Sequence, residues 1–343
     1  SNFVRKHMND MMVVTHTGTS VNHYVAQQRS INCNAAWQGR TLQEAVALSY
    51  GAGYAIPNVH LVNGTGFTER GTDSTLPAYA YGERAPVPNL WPLSLDGYKG
   101  IAGAPSRNLF EKARKFRNEQ LDPSSDFFKT FGGSQRIKYW SDIRGDALRG
   151  VEAADLITKL MLFPDSEEMP LAAHGLQGSA IGQKVREAFP NYEFDPLEAQ
   201  AALAFMLLRY GVSVTVTIGP EGSAVFKKGV KLGEGGLGEG DIVNPPISFD
   251  FSHQANREVQ ALKWNRQLSI ADRLASLLKS EEFRDGQSFW DRSMIYFATE
   301  FGRTRRRPAN AMTFGSGHEL NNGSLIVSPL ANGGRVLGGV DTA

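Results

Sequence analysis

Hydrophobic and polar positions along this chain switch between two periods, which divides it into short strands and amphipathic helices. MMVVT (11–15) is a β-rich run, and a polar loop, HTGTSVNH (16–23), follows it. Helical spacing covers 42–50, with Thr41 placed to cap it and Gly51 and Gly53 to stop it. AIPNVHLVN (55–63) reads as a strand ending at Gly64. Further helical patterns occupy 108–119 and 147–162. The strongest helix runs from Pro196 to Tyr210, with proline in its first turn, a nearly continuous apolar face and Gly211 as its stop. VSVTVTIG (212–219) is the strongest strand, and its β-branched residues predict a central strand buried on both faces. ISFDF (247–251), SMIYFAT (293–299) and SLIVSPL (324–330) read as further strands, and 260–278 as a long amphipathic helix. Strands alternating with helices predict an α/β fold with a mostly parallel, doubly wound sheet.

Two stretches break this pattern. Residues 64–105 are rich in Gly, Pro, Thr and Tyr without sustained periodicity, and 64–146 reads as an irregular insertion, a lid or an interaction surface. A glycine-dense excursion fills 219–247. It lacks the G-x-x-x-x-G-K-[ST] spacing of a phosphate-cradling loop, so it reads as a hairpin-like insertion.

Composition narrows the function classes. The 343 residues are 41% apolar, enough to bury a sizeable core in one large domain. Thirty-six basic residues balance 35 acidic ones, so no whole-molecule field draws nucleic acid or an anionic surface. The local exception is Arg303–Arg307, with four arginines in five residues, which reads as a solvated loop or an anion-binding rim. Cys33 is alone, which rules out an intrachain disulfide and a cysteine metal cluster. No segment reaches the apolar length needed to span a membrane, and the first residues lack the apolar core of a signal peptide. Because the chain opens almost directly on a core strand, the natural amino terminus is expected to precede residue 1.

Ligands in open α/β sheets collect at the carboxyl ends of strands. Here those ends are chemically rich. The strand at 247–251 leads into Asp250, Ser252 and His253, and the strand at 293–299 into Thr299, Glu300, Arg303 and Thr304. The loop before 324–330 carries Ser316, His318 and Glu319, and the loop after 11–15 carries Thr19, Ser20, Asn22 and His23. Carboxylates and imidazoles without thiolates suit zinc, manganese or a similar hard to borderline divalent ion, calcium included. Such ions clamp the attacking and leaving oxygens of a phosphoryl or sulfuryl group. Each residue also has a plainer reading: a strand-end Asp caps turns, and a lone His is commonly a satisfied polar residue.

FDFSHQAN (249–256), TEFGRT (299–304), GSGHE (315–319) and GGRVLGGVD (333–341), with SVNHYVAQQ (20–28) and W-x-G-R at 37–40, occur in an informative order. Together they resemble the bacterial uncharacterised domain family 1501, of the alkaline-phosphatase-like and sulfatase-like superfamily. The family's usual forms are F-D-T-H-x-N, S-[DE]-F-G-R-T and G-x-D-H. The resemblance implies a single alkaline-phosphatase-like domain over 1–343, a three-layer α/β/α sandwich with long irregular insertions. It implies metal ligation by Asp250, His253, Glu300 and His318, with His23 near the substrate group and Arg303 as an oxyanion-binding or structural partner. Thr19 or Ser20 would supply the nucleophile. The implied activity is metal-dependent hydrolysis of phosphate or sulfate esters on a small-molecule or polymer substrate, in a periplasmic or extracellular protein. Several positions depart from the family: Asp-x-x-His replaces Asp-x-His at 250–253, Gly317 replaces an acidic residue, and Asn22 replaces a serine. These departures support the alternative of a catalytically degenerate member acting in binding or assembly, self-assembly included.

Overall fold

The computed structural model describes residues 2–32, 38–62, 65–85, 87–88, 90–95, 105–138, 141, 156–162, 179–193, 195–220, 225–226, 242–244, 256–304 and 317–339. In chain order the helices are α1 (Asn2–His7), α2 (His23–Ile31), α3 (Leu42–Tyr50), α4 (Trp91–Leu95), α5 (Arg107–Phe116), α6 (Asp126–Phe131), α7 (Leu156–Leu160), α8 (Ala180–Ala188), α9 (Pro196–Arg209) and α10 (Asn256–Ser280). The strands are β1 (Met11–His16), β2 (Asn58–His60), β3 (Glu83–Arg84), β4 (Thr215–Thr217), β5 (Val225–Phe226), β6 (Ile242–Asn244), β7 (Glu282–Arg284), β8 (Gln287–Ser288), β9 (Ile295–Phe297), β10 (Gly302–Arg303), β11 (His318–Glu319), β12 (Asn322–Val327) and β13 (Arg335–Leu337). The chain divides into two compact units, Ser1–Pro88 with Lys184–Ala343, and Asn89–Gln183. The expected insertion at 64–146 straddles that division.

Helix boundaries follow local chemistry. Thr41 Oγ1 accepts from the Glu44 amide at 3.1 Å while the Glu44 carboxylate accepts from the Thr41 amide at 2.8 Å. This capping box satisfies two amides that α3 leaves without intrahelical partners. Asp195 does the same for α9, accepting from the amides of Leu197 and Glu198 ahead of Pro196. Every residue from Leu197 to Leu207 is buried, Glu198 and Gln200 included. Leu197, Leu203, Phe205, Met206 and Leu207, so buried, each contribute ~1.5–3 kcal/mol of transfer free energy. The polar ones are matched: Arg273 bonds the Glu198 carboxylate at 2.9 Å, Arg266 pairs with Asp195, and Gln200 accepts from the Gly219 amide. α9 is therefore fastened to α10 by ions as well as by packing.

Among the described residues the first unit carries two larger sheets, one of mixed direction and one wholly parallel. The first has the order β13-β1-β12-β9. β1 runs parallel to β13 and antiparallel to β12, from Met11↔Val327 to His16↔Asn322, and β12 runs antiparallel to β9. So β1, β9 and β13 share a direction and β12 opposes them. The reversal has a consequence for function: the loop before β12 arrives at the same edge as the loops after β1 and β9. The second sheet, β3-β2-β4, is wholly parallel. Its central strand is β2, with Asn58, Val59 and His60 all buried. Of residues 212–219, expected at the centre, Thr215–Thr217 form β4, which pairs with β2 and has no second neighbour among the described residues, and each of the three is half-buried. β-Branched composition reports a fit to pleated backbone and leaves the strand's place in the sheet undetermined.

Among the smaller pairings, β5 and β6 are antiparallel, as a hairpin-like reading of 219–247 requires. The expected strand at 247–251 and most of the expected helix at 147–162 lie outside the described residues. No helix among the described residues is long and apolar enough to cross a membrane.

Candidate functional site

The edge shared by β1, β9 and β12 gathers the chemistry. Asn22 caps α2 by accepting from the Val25 amide at 3.1 Å, which places His23 in the first helical turn. After β9, Thr299 and Asn322 clasp each other: Asn322 Nδ2 donates to the Thr299 carbonyl at 2.6 Å, and Thr299 Oγ1 lies 2.5 Å from Asn322 Oδ1. The clasp aims Glu300 at α2. Glu300 Oε2 accepts from His23 Nδ1 at 2.8 Å and from Gln27 Nε2 at 3.2 Å. His23 and Gln27 are four residues apart, one helical turn, so both reach one carboxylate from one face. Gln27 is itself held, because its Oε1 accepts from the Gly66 amide at 2.7 Å.

β10 then pairs with β11 in the register Arg303↔His318, which brings two remote sequence motifs side by side. Phe301, almost fully buried, stacks on the His318 ring at 4.1 Å and lies 4.8 Å from the His23 ring. The two imidazole rings meet edge to face, centroids 4.6 Å apart. His318 Nδ1 lies 2.5 Å from the Val21 carbonyl oxygen. A carboxylate and a carbonyl oxygen can only accept here, so both imidazoles donate through Nδ1. In the neutral rings Nε2 then carries the lone pair.

Two cations complete the cluster. Lys263, on α10, is pushed down to about 8, first by loss of hydration on burial and then by Arg303, against the opposing pull of Glu300. Arg303 lies over the Phe301 ring at 5.1 Å, and burial lowers its pKa while Glu300 raises it. Two half-buried cations that repel each other are suited to sharing an oxyanion.

The expected residues are thus distributed unevenly. His23, Glu300, Arg303 and His318 come together. Asp250 and His253 lie outside the described residues. Thr19 is buried, and its hydroxyl donates to the Leu320 carbonyl at 2.9 Å, a structural tie for an expected nucleophile. Ser20 Oγ accepts from the Asn22 amide at 3.1 Å. Lys263 and Gln27 were not singled out in the sequence. The His-x-x-x-Gln spacing signals Gln27, whereas nothing local distinguishes Lys263 from other helix lysines.

A divalent ion fits part of this set. Each imidazole has Nδ1 fastened to an oxygen, the arrangement that orients a histidine for metal ligation through Nε2. No group of three or more His, Cys, Asp or Glu side chains suited to a metal forms among the described residues. Glu300, with Oε2 accepting twice, is arranged as the orienting carboxylate.

A second polar cleft, of about 470 Å³, opens where β2 and β3 end, lined by His60, Glu44, Thr41, Thr68, Arg70 and Arg84 among others. His60 is 6% exposed and its Nδ1 has no hydrogen-bond partner among the described residues. Burial, and secondarily Arg84, push its pKa down to about 4. Gly82 packs against the ring so closely that a Cβ there would lie 1.9 Å from Nε2.

No family model, curated protein or solved structure matches the chain.

Proposed function

We propose that the chain is an exported, metal-dependent hydrolase of phosphate or sulfate esters, built on an alkaline-phosphatase-like scaffold. One observation carries the reading: two imidazoles, each anchored through Nδ1, lie 4.6 Å apart beside Lys263 and Arg303. His23 and His318 would hold a divalent ion through Nε2, together with Asp250 and His253, and the ion would supply Lewis acidity and an activated oxygen nucleophile. Glu300 fixes the His23 ring and its tautomer. Lys263 and Arg303 hold the anionic group of the ester and oppose the charge that develops as it is attacked. Of the two hydroxyls considered, Ser20 keeps its own proton available for transfer, because its oxygen accepts from Asn22.

The engagement of Thr19 favours a second reading, an anion-binding protein without turnover. Metal content of the purified protein, measured by plasma mass spectrometry, and turnover of p-nitrophenyl phosphate and p-nitrophenyl sulfate separate the two. A stoichiometric metal and a turnover abolished in His318→Ala are expected. Absence of both, even with added zinc or manganese, sinks the hydrolase. Inorganic phosphate binding that is lost in Lys263→Gln would then leave the second reading standing.

A further inference from the structure

The Asn89–Gln183 unit carries a surface that the ester chemistry does not use. Arg107–Arg117 contains five basic residues against one acidic residue, Glu111. Its apolar positions, Leu109, Phe110, Ala113 and Phe116, recur at helical spacing, so α5 is a basic amphipathic helix. The helical course continues through a π-type turn at Arg117–Leu121 and, past Pro123, into α6. Along that course Leu109, Phe116, Leu121, Phe127 and Phe131 are each more than half exposed, in company with exposed Lys112 and Lys115.

Single exposed apolar side chains are ordinary, but five along 23 residues, three of them phenylalanines, need a reason. We infer that α5 and α6 form a peripheral docking surface for an anionic lipid bilayer, with the phenylalanines entering the interface and the lysines and arginines meeting the headgroups. Charge complementarity decides the occupant: the basic residues interleave with the apolar ones, as an interfacial helix requires. The apolar side chains are also irregularly spaced at 109, 116, 121, 127 and 131, which suits a fluid acyl boundary better than one rigid groove. Balanced charge over the whole chain does not oppose this, because attraction to a charged bilayer acts within about a Debye length of the surface.

The test is sedimentation of the full chain with vesicles of phosphatidylcholine alone and of phosphatidylcholine with phosphatidylglycerol, over a salt series. Binding to the anionic vesicles is expected to weaken as salt rises. Replacing two lysines, as Lys112→Gln with Lys115→Gln, is expected to weaken it about thirty-fold, at roughly 1 kcal/mol per basic residue. Phe127→Ser with Phe131→Ser is expected to abolish it; both positions are exposed, and unchanged circular dichroism confirms folding. No sedimentation at low salt overturns the inference, and so does unaltered partition of the phenylalanine variant. Light scattering that shows a dimer lost in that variant, without vesicle binding, assigns the face to a second copy instead. Binding to soluble polyglutamate but not to vesicles assigns it to an acidic protein partner.

Discussion

At the ends of β1 and β9 the imidazoles of His23 and His318 are half-buried, and each is fastened through Nδ1. At the end of β2, in the same unit, the imidazole of His60 is enclosed and its Nδ1 is unpartnered among the described residues. The residue type and the position relative to a strand end are alike, yet the surroundings differ in kind. The first pair is given oxygens that choose a tautomer, and both rings stay partly open to solvent. The second is packed against Gly82, and its burial first, then the nearby Arg84 guanidinium, disfavours a proton. A histidine at a strand end therefore says little until the donors and acceptors around it are known.

The largest expected effect tests the His60 side of this contrast. Its pKa falls from 6.5 in the unfolded chain to about 4 in the folded one, with burial the leading cause. As pH drops from 6.5 to about 4, the unfolded chain takes up a proton that the folded chain refuses. Stability is therefore lost across that window, by ~3 kcal/mol at its lower end. Urea unfolding at a series of pH values should give a shallower acid slope for His60→Phe than for the parent. Identical slopes would remove the case for an enclosed, neutral His60. Gly82→Ala attacks the same place sterically. Its Cβ would meet the His60 ring, and a cost of ~1–3 kcal/mol is expected in the same unfolding assay, with no change in ester turnover.

Glu300→Gln probes the other side. It retains an acceptor for His23 but removes the charge that fixes the ring and balances Lys263 and Arg303. Loss of an orienting partner of this kind costs about ten- to a hundredfold in metal affinity or activity. The expected signature is a lower kcat/KM for p-nitrophenyl phosphate with a smaller effect on the unfolding midpoint, since glutamine has the same size and keeps an acceptor for His23 and Gln27. Unchanged kcat/KM would show that the carboxylate orients nothing.

How much of this could be read in the chain alone depends on how local its cause is. The caps at Thr41 and Asp195 are decided within four residues, and α3 begins and ends where Thr41 and Gly51 predict. The meeting of His23, Glu300 and His318 was expected because each lies beside a strand end. Its geometry depends on the reversed direction of β12 and on the β10–β11 pairing, which no local pattern encodes. Lys263 belongs to the site only because α10 crosses near that edge, a tertiary fact. The pairing of β4 with β2 likewise joins residues distant in sequence.

The smallest effect lies beneath the His23 end, in a chain of bonds across three strands. Tyr296 Oη lies 2.7 Å from the Ser30 carbonyl and 2.8 Å from Ser324 Oγ, and Ser324 Oγ lies 3.0 Å from His16 Nε2. The carbonyl can only accept, so the single phenolic proton goes to it. Ser324 must then donate to the phenolic oxygen, which leaves His16 Nε2–H to donate to Ser324. Burial holds the His16 pKa low, so its ring is the neutral donor in this chain. Tyr296→Phe removes the end of the chain and strands the hydroxyl of Ser324, which is 1% exposed. That hydroxyl can turn to His16 if the imidazole moves its proton to Nδ1, so the cost should stay near ~1 kcal/mol. Nitrogen-15 shifts of His16 read the tautomer directly. A change from Nε2–H to Nδ1–H in Tyr296→Phe, with the acid slope due to His60 untouched, would show that the two strand ends are governed separately.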